Sequence, residues 1–210
     1  MNAPDPSSDD SRLLRSIPPA RLELIERIAR TRVGRRQGPP SASDAALYRE
    51  IQPQFLRSYF RGVGEEDLAE RVPAALASAA RAHLELGWRR AAGQSLVRIF
   101  NPDPARDGFE SPHTLVQIVT DDKPFLVDSV GIAFDRAGLA MHLIVHPVLE
   151  VRRDGRGRLI GLGSNGGEPL RTESWELYEI DRQTDPAAIE RLRTDIVSTL
   201  TDVSLAVDDW

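Results

Sequence analysis

Residues 114–152 read TLVQIVTDDKPFLVDSVGIAFDRAGLAMHLIVHPVLEVR, and the fold turns on how this stretch alternates. Residues 114–120 are a short β-rich run. Asp121 or Asp122 caps the helix that follows, with Pro124 in its first turn, where a missing N–H costs nothing. Leu126, Val130, Ala133, Phe134 and Ala137 recur at helical spacing, and Gly138 supplies a left-handed stop. From Leu139 to Arg152 the period becomes two. The odd positions (Leu139, Met141, Leu143, Val145, Leu149, Val151) are apolar apart from Pro147, which marks a bulge or an edge. The even positions His142, Ile144, His146, Val148 and Glu150 make a semi-polar face that a second subunit or domain can cover.

Downstream, Asp154-Gly155 turns the chain into a strand at 158–162, and a Gly/Asn loop leads to another at 174–181. Thr184 or Asp185 caps, and Pro186 opens, a last helix with Ile189, Leu192, Ile196 and Leu200 in line. Strand–helix–strand–strand–helix with short connections describes an α+β fold of ferredoxin-like type, an antiparallel-rich sheet with two helices on one face. Upstream lie a strand at 96–100 and a loop carrying Pro102, Pro104, Gly108 and Pro112.

Residues 17–93 read as an α-helical segment preceding that domain. Pro18-Pro19 opens a helix with Leu22, Ile25, Ile28 and Ala29 on one stripe, and 35–43 is a linker. Ser43 or Asp44 caps a second helix with Leu47, Ile51, Phe55 and Tyr59, which Pro53 should kink or break. A third carries Leu68, Val72, Leu76, Ala79, Ala80 and His83 and restarts at Pro73. Residues 1–16 lack periodicity and are expected to be mobile. The expected division is therefore 1–16, 17–93 and 94–210.

Composition excludes several classes. Zero cysteine removes disulfide scaffolds, iron–sulfur clusters, thiolate zinc sites and thiol nucleophiles, and fits a reducing, cytoplasmic setting. No run approaches the roughly 20 apolar residues of a membrane span. A net charge of −5 argues against a general nucleic-acid binder. So does the lack of aromatics in 114–120 and 139–152, where an RNA-binding sheet would stack bases. Of 27 basic residues only Lys123 is lysine, a bias of genome composition.

The motifs divide sharply. GLGSNG at 161–166 is a literal G-x-G-x-x-G, yet Gly167-Glu168-Pro169 and a strand follow where a dinucleotide site needs a helix N-terminus. It reads as a hairpin loop, and no cofactor-binding residue is assigned. His142 and His146 share a strand face, but four residues of strand separate them by roughly 13 Å, too far to ligate one ion. No metal site is assigned. Ser129 beside Asp128 has neither G-x-S-x-G nor a partner histidine, so no catalytic residue is assigned. The arginines of the first helix, interrupted by Glu23 and Glu26, read as a solvated face with intrahelical pairs. The strongest constellation is Thr120, Asp121, Asp122, Lys123 and Pro124, which join a strand to a helix N-terminus. Free N–H groups there suit a ligand carboxylate, and the two aspartates suit an α-amino group or merely cap the helix.

Residues 111–114 (SPHT), 121–130 (DDKPFLVDSV), 138–148 (GLAMHLIVHPV), 173–175 (ESW), 180–182 (IDR), 97–102 (VRIFNP) and 207–210 (VDDW) together resemble the N-terminal region of the large bacterial NAD-specific glutamate dehydrogenases. The resemblance spans roughly residues 45–210. It implies a helical lead-in and the first ACT-like domain of a much longer chain, non-catalytic and regulatory or assembly-forming in its own right. The parent would oxidatively deaminate L-glutamate to 2-oxoglutarate with NAD, a cofactor this fragment would not hold. ACT domains commonly bind amino acids at the loop between first strand and first helix, which maps a small amino-acid effector onto Thr120, Asp121, Asp122, Lys123 and Pro124. The semi-polar strand face, with His142, Ile144, His146 and Val148, is the expected interface with later domains or other copies, in a homo-oligomer. The usual ACT pattern has glycine after the proline, and Phe125 stands there. Phe125 either turns into the core and leaves the pocket open, or closes it and leaves a pure interaction module.

Overall fold

The computed structural model describes residues 17–32, 41–163 and 169–208. The segment at 1–16, residues 35–40 of the linker, the second half of the glycine run at 164–166 and the last two residues of the 207–210 string fall outside these residues. Helices α1 (Pro19–Arg30), α2 (Ala45–Phe60), α3 (Glu65–Ala69) and α4 (Pro73–Leu86) precede β1 (Leu96–Phe100) and β2 (Thr114–Asp121). Then come α5 (Leu126–Arg136), β3 (Met141–Val145), β4 (Val148–Arg153), β5 (Leu159–Leu162), β6 (Leu170–Ile180) and α6 (Pro186–Asp208). The strands form one six-stranded sheet in the order β1-β2-β6-β4-β5, with β3 also on β6, and every pairing is antiparallel. The unit β2–α5–β3/β4–β6–α6 is the expected strand–helix–strand–strand–helix. β1, from the N-terminal side, fills the sheet position beside β2.

β3 and β4 are two halves of the long strand read at 139–152. Val145 lies opposite Leu177 and Val148 opposite Ser174, so both strands advance in step and nothing is inserted at His146-Pro147. Proline has no N–H to donate, but its carbonyl still accepts from Trp175 N at 3.0 Å. The expected bulge at Pro147 is instead between Met141 and Leu143.

Alternation along the strands sends side chains into two cores. Leu115, Val119, Val145, Trp175 and Leu177 meet Phe55, Leu76, Leu84 and Trp88 of the lead-in. On the other face Val116, Ile118, Tyr178 and Ile180 meet Val130 and Phe134 of α5 and Leu192, Ile196 and Leu200 of α6. The result is helix, sheet, helix in three layers, with the lead-in as one outer layer. α2 is one continuous helix through Pro53, so the chain does not break there. A proline there forfeits one helical hydrogen bond, but Ile51, Phe55, Leu56, Tyr59 and Phe60 are all buried and hold the helix by packing. Among the described residues no helix is long and apolar enough to cross a membrane.

Candidate functional site at the strand-to-helix loop

The loop at 120–124 is anchored by charges that the sequence reading did not connect. Asp121 ends β2 opposite Glu173 of β6. The fully buried guanidinium of Arg90 donates to Asp121 Oδ1, to Glu173 Oε1 at 3.0–3.1 Å and to the Gln94 carbonyl at 2.7 Å. Arg153, equally buried, grips both Glu173 oxygens at 2.7 and 2.8 Å and the Gly157 carbonyl at 2.9 Å. Two cations thus face one buried carboxylate and the half-exposed Asp121, a neutral set in which each guanidinium is also hydrogen-bonded, the condition for keeping charge out of water. Asp121 is held by the protein itself. Thr120 Oγ1 meets Ser95 Oγ at 2.8 Å. Asp122 donates its N–H to the Thr172 carbonyl at 3.1 Å and leaves its side chain exposed. Lys123 Nζ reaches the Ser204 carbonyl of α6 at 3.4 Å, and Pro124 lies exposed in the turn.

Neither aspartate caps α5. Asp121 belongs to β2 and Asp122 lies upstream of Pro124, so the N-cap position falls to Phe125, without a side-chain cap. Phe125 has φ 68°, the one non-glycine residue with positive φ among the described residues. A β-carbon makes that left-handed geometry costly, and it is the geometry a glycine would take freely. The ring is 70% exposed, so it does not turn into the core.

The expected interface residues separate. His142 Nε2 meets Asp181 Oδ1 at 2.8 Å, and its ring stacks on His113 with centroids 4.2 Å apart. Burial, then the neighbouring His142, hold His113 below its ordinary value; the Ala140 N–H and His142 hold Asp181 below the usual carboxylate range. His146 Nε2 meets Ser174 Oγ at 2.9 Å, and Ser174 in turn donates to the buried Glu176. Ile144 packs against the α5–α6 core, whereas His142, His146 and Val148 are exposed. The two histidines have different partners, and among the described residues no three potential ligands converge for a metal. Of the glycine run, Gly161 lies in β5 and 164–166 fall outside the described residues. In α1, Glu23–Arg27 and Glu26–Arg30 pair within the helix as expected, and Glu26 also binds Arg57 of α2 at 2.6 Å.

Sheet topology, paired helices on one face and a loop from strand to helix N-terminus define an ACT-like α+β domain with a helical N-terminal layer. Residues 55–196 match the family model described as glutamate dehydrogenase, ACT1 domain, and the chain belongs to that family. The match begins inside α2, so it takes in α3 and α4 as well as the sheet. The chain is similar to the NAD-specific glutamate dehydrogenase of Halomonas elongata, 30% identical over 193 residues, covering 91% of this chain and 12% of the relative. The Pseudomonas aeruginosa enzyme of the same name is 32% identical over 158 residues, 74% of this chain and 10% of the relative. The Mycobacterium tuberculosis one is 30% identical over 146 residues, 67% and 9%. The chain thus spans about a tenth of the length of these relatives.

Proposed function

We propose that this chain is a non-catalytic regulatory and assembly domain of a cytoplasmic NAD-dependent glutamate dehydrogenase. Its parent would convert L-glutamate, NAD and water to 2-oxoglutarate, ammonia and NADH. The observation that carries the reading is the match of residues 55–196 to the ACT1 family within relatives about ten times longer. NAD belongs to the catalytic part of the parent, and the partners of this domain are later domains of the same chain and other copies of it. The exposed His142, His146 and Val148 suit that contact.

In this reading the loop at 120–124 seats a small amino-acid effector over the start of α5. Its carboxylate would lie on the first-turn N–H groups, which no side chain caps, and its ammonium on Asp122. Two observations favour the alternative of an assembly module without ligand: Arg90 holds Asp121, and Phe125 occupies the glycine position. A melting screen against the common amino acids, with light scattering, separates them. A saturable shift abolished by Asp122→Ala supports the sensor; oligomers without any shift support assembly alone. Glutamate-dependent NADH production by the pure chain would overturn both.

A further inference from the structure

At the end of the sheet opposite the effector loop, a cleft of about 330 Å³ opens between α4, the loop preceding β2, and the ends of β2 and β6. Its apolar part is made by Leu76 and Ala79 of α4, Phe109, Leu115 and Leu177, all buried. Such a volume and an apolar wall with a few polar groups at one side are the usual properties of a small-molecule site. β2 is eight residues long, so the cleft lies on the order of 24 Å from Asp121.

The charges around it have one dominant sign. Glu70, Glu110 and Glu179 line the cleft against a single guanidinium, Arg71. All three nitrogens of Arg71 already donate: Nε to Glu179 Oε2 at 2.9 Å, Nη1 to the Asp67 carbonyl and Nη2 to the His142 carbonyl, each at 2.8 Å. It is a poor seat for a ligand carboxylate. His113, the remaining titratable group of the lining, is held toward its neutral form by burial and by His142. The apolar wall and the two carboxylates that Arg71 does not pair, Glu70 and Glu110, favour a guest with positive charge on a compact apolar body.

We propose that this cleft binds a small organic ammonium ion, a primary amine on an aliphatic or aromatic ring, independently of the effector loop. The apolar body would lie on Leu76, Leu115 and Leu177, and the ammonium would face Glu70 and Glu110.

The test is amide NMR titration of the 210-residue chain at about pH 7.5, where amines are charged and carboxyls ionised. The probes are cyclohexylammonium, cyclohexanecarboxylate, cyclohexanol and leucine. Cyclohexylammonium should give saturable shifts at Ala75, Leu76, Ala79 and His113 and bind at least about tenfold more tightly than the carboxylate. Glu110→Gln, on an exposed side chain, should weaken it about threefold, and Ala75→Trp should abolish it by filling the cleft. Should Ala75→Trp not fold, Glu110→Gln decides alone. Equal binding of carboxylate or alcohol, tighter binding of leucine, shifts confined to 120–125, or no saturable shift at millimolar amine would each overturn the proposal.

Discussion

Gly87, at the end of α4, lies so close to the indole of Trp175 in β6 that a methyl group on its Cα would stand 2.1 Å from Cη2. Its φ of −82° is open to any residue, so glycine is needed here for space and not for backbone freedom. Trp175 is fully buried beneath Phe55 and His83 and cannot swing aside. Gly87→Ala should therefore lift the lead-in from the sheet and cost about 2–3 kcal/mol. Urea unfolding followed by tryptophan fluorescence measures it, and an unchanged midpoint would contradict so tight a contact.

Phe125 predicts the opposite sign. Replacing it by glycine removes the left-handed strain and little buried surface, since the ring is mostly in water. After the extra flexibility glycine gives the unfolded chain, Phe125→Gly should stabilise by about 0.5–1 kcal/mol. That is a rise of a few degrees in Tm for a chain of this size. A lower Tm would mean that the ring has a packing role its exposure conceals.

Glu173→Gln should be among the most damaging single changes. It leaves Arg90 and Arg153 buried with only Asp121, itself 39% exposed, to balance them. Breaking such a set from one side costs about 3–5 kcal/mol. The same change should speed amide exchange at 120–124, because Arg90 ties that loop to β6. Normal exchange there would show that the ion pairs do not hold the loop.

Stability should fall with acid before the carboxylates titrate. His83 is fully buried, and a carbonyl can only accept, so Nε2 donates to Ile118 O at 3.1 Å and Nδ1 accepts from Tyr59. Burial pushes the imidazole down to about 3. The unfolded chain takes up the proton near pH ~6.5, so between the two values it binds one proton more than the folded chain. The contribution is complete above about pH 6.5 and declines as pH drops, by up to about 1.4 kcal/mol per unit. His113, also depressed, acts in the same direction. His83→Gln should flatten the slope between about pH 4 and 6 by roughly one proton, measured by urea midpoints. An unchanged slope would mean that His83 is not the group titrating.

Much of this molecule is written in local pattern. The period-two run at 139–152 sorted Leu143, Val145, Leu149 and Val151 to the core face, where all four are buried. Gly138 takes the left-handed φ of 68° that stops α5, and Asp185 caps the helix Pro186 opens by accepting from Ala187 N at 2.9 Å. Burial periodicity and terminal hydrogen bonds involve residues a few positions apart, so the chain specifies them directly. The strings at 121–130 and 138–148 carried the family for the same reason: they are contiguous. Tertiary structure alone decided the rest. Arg90 meets Glu173 from 83 positions away, and that distant pairing takes Asp121 out of the set of free ligand groups. Pro53 sits inside a helix because neighbours on other elements bury its flanks, whatever its own propensity. The cleft of Leu76, Phe109, Leu115 and Glu179 exists only where three separate segments meet. Which charges meet, and which faces cover one another, follow from the order of the strands and the closing of long loops, to which no local period corresponds.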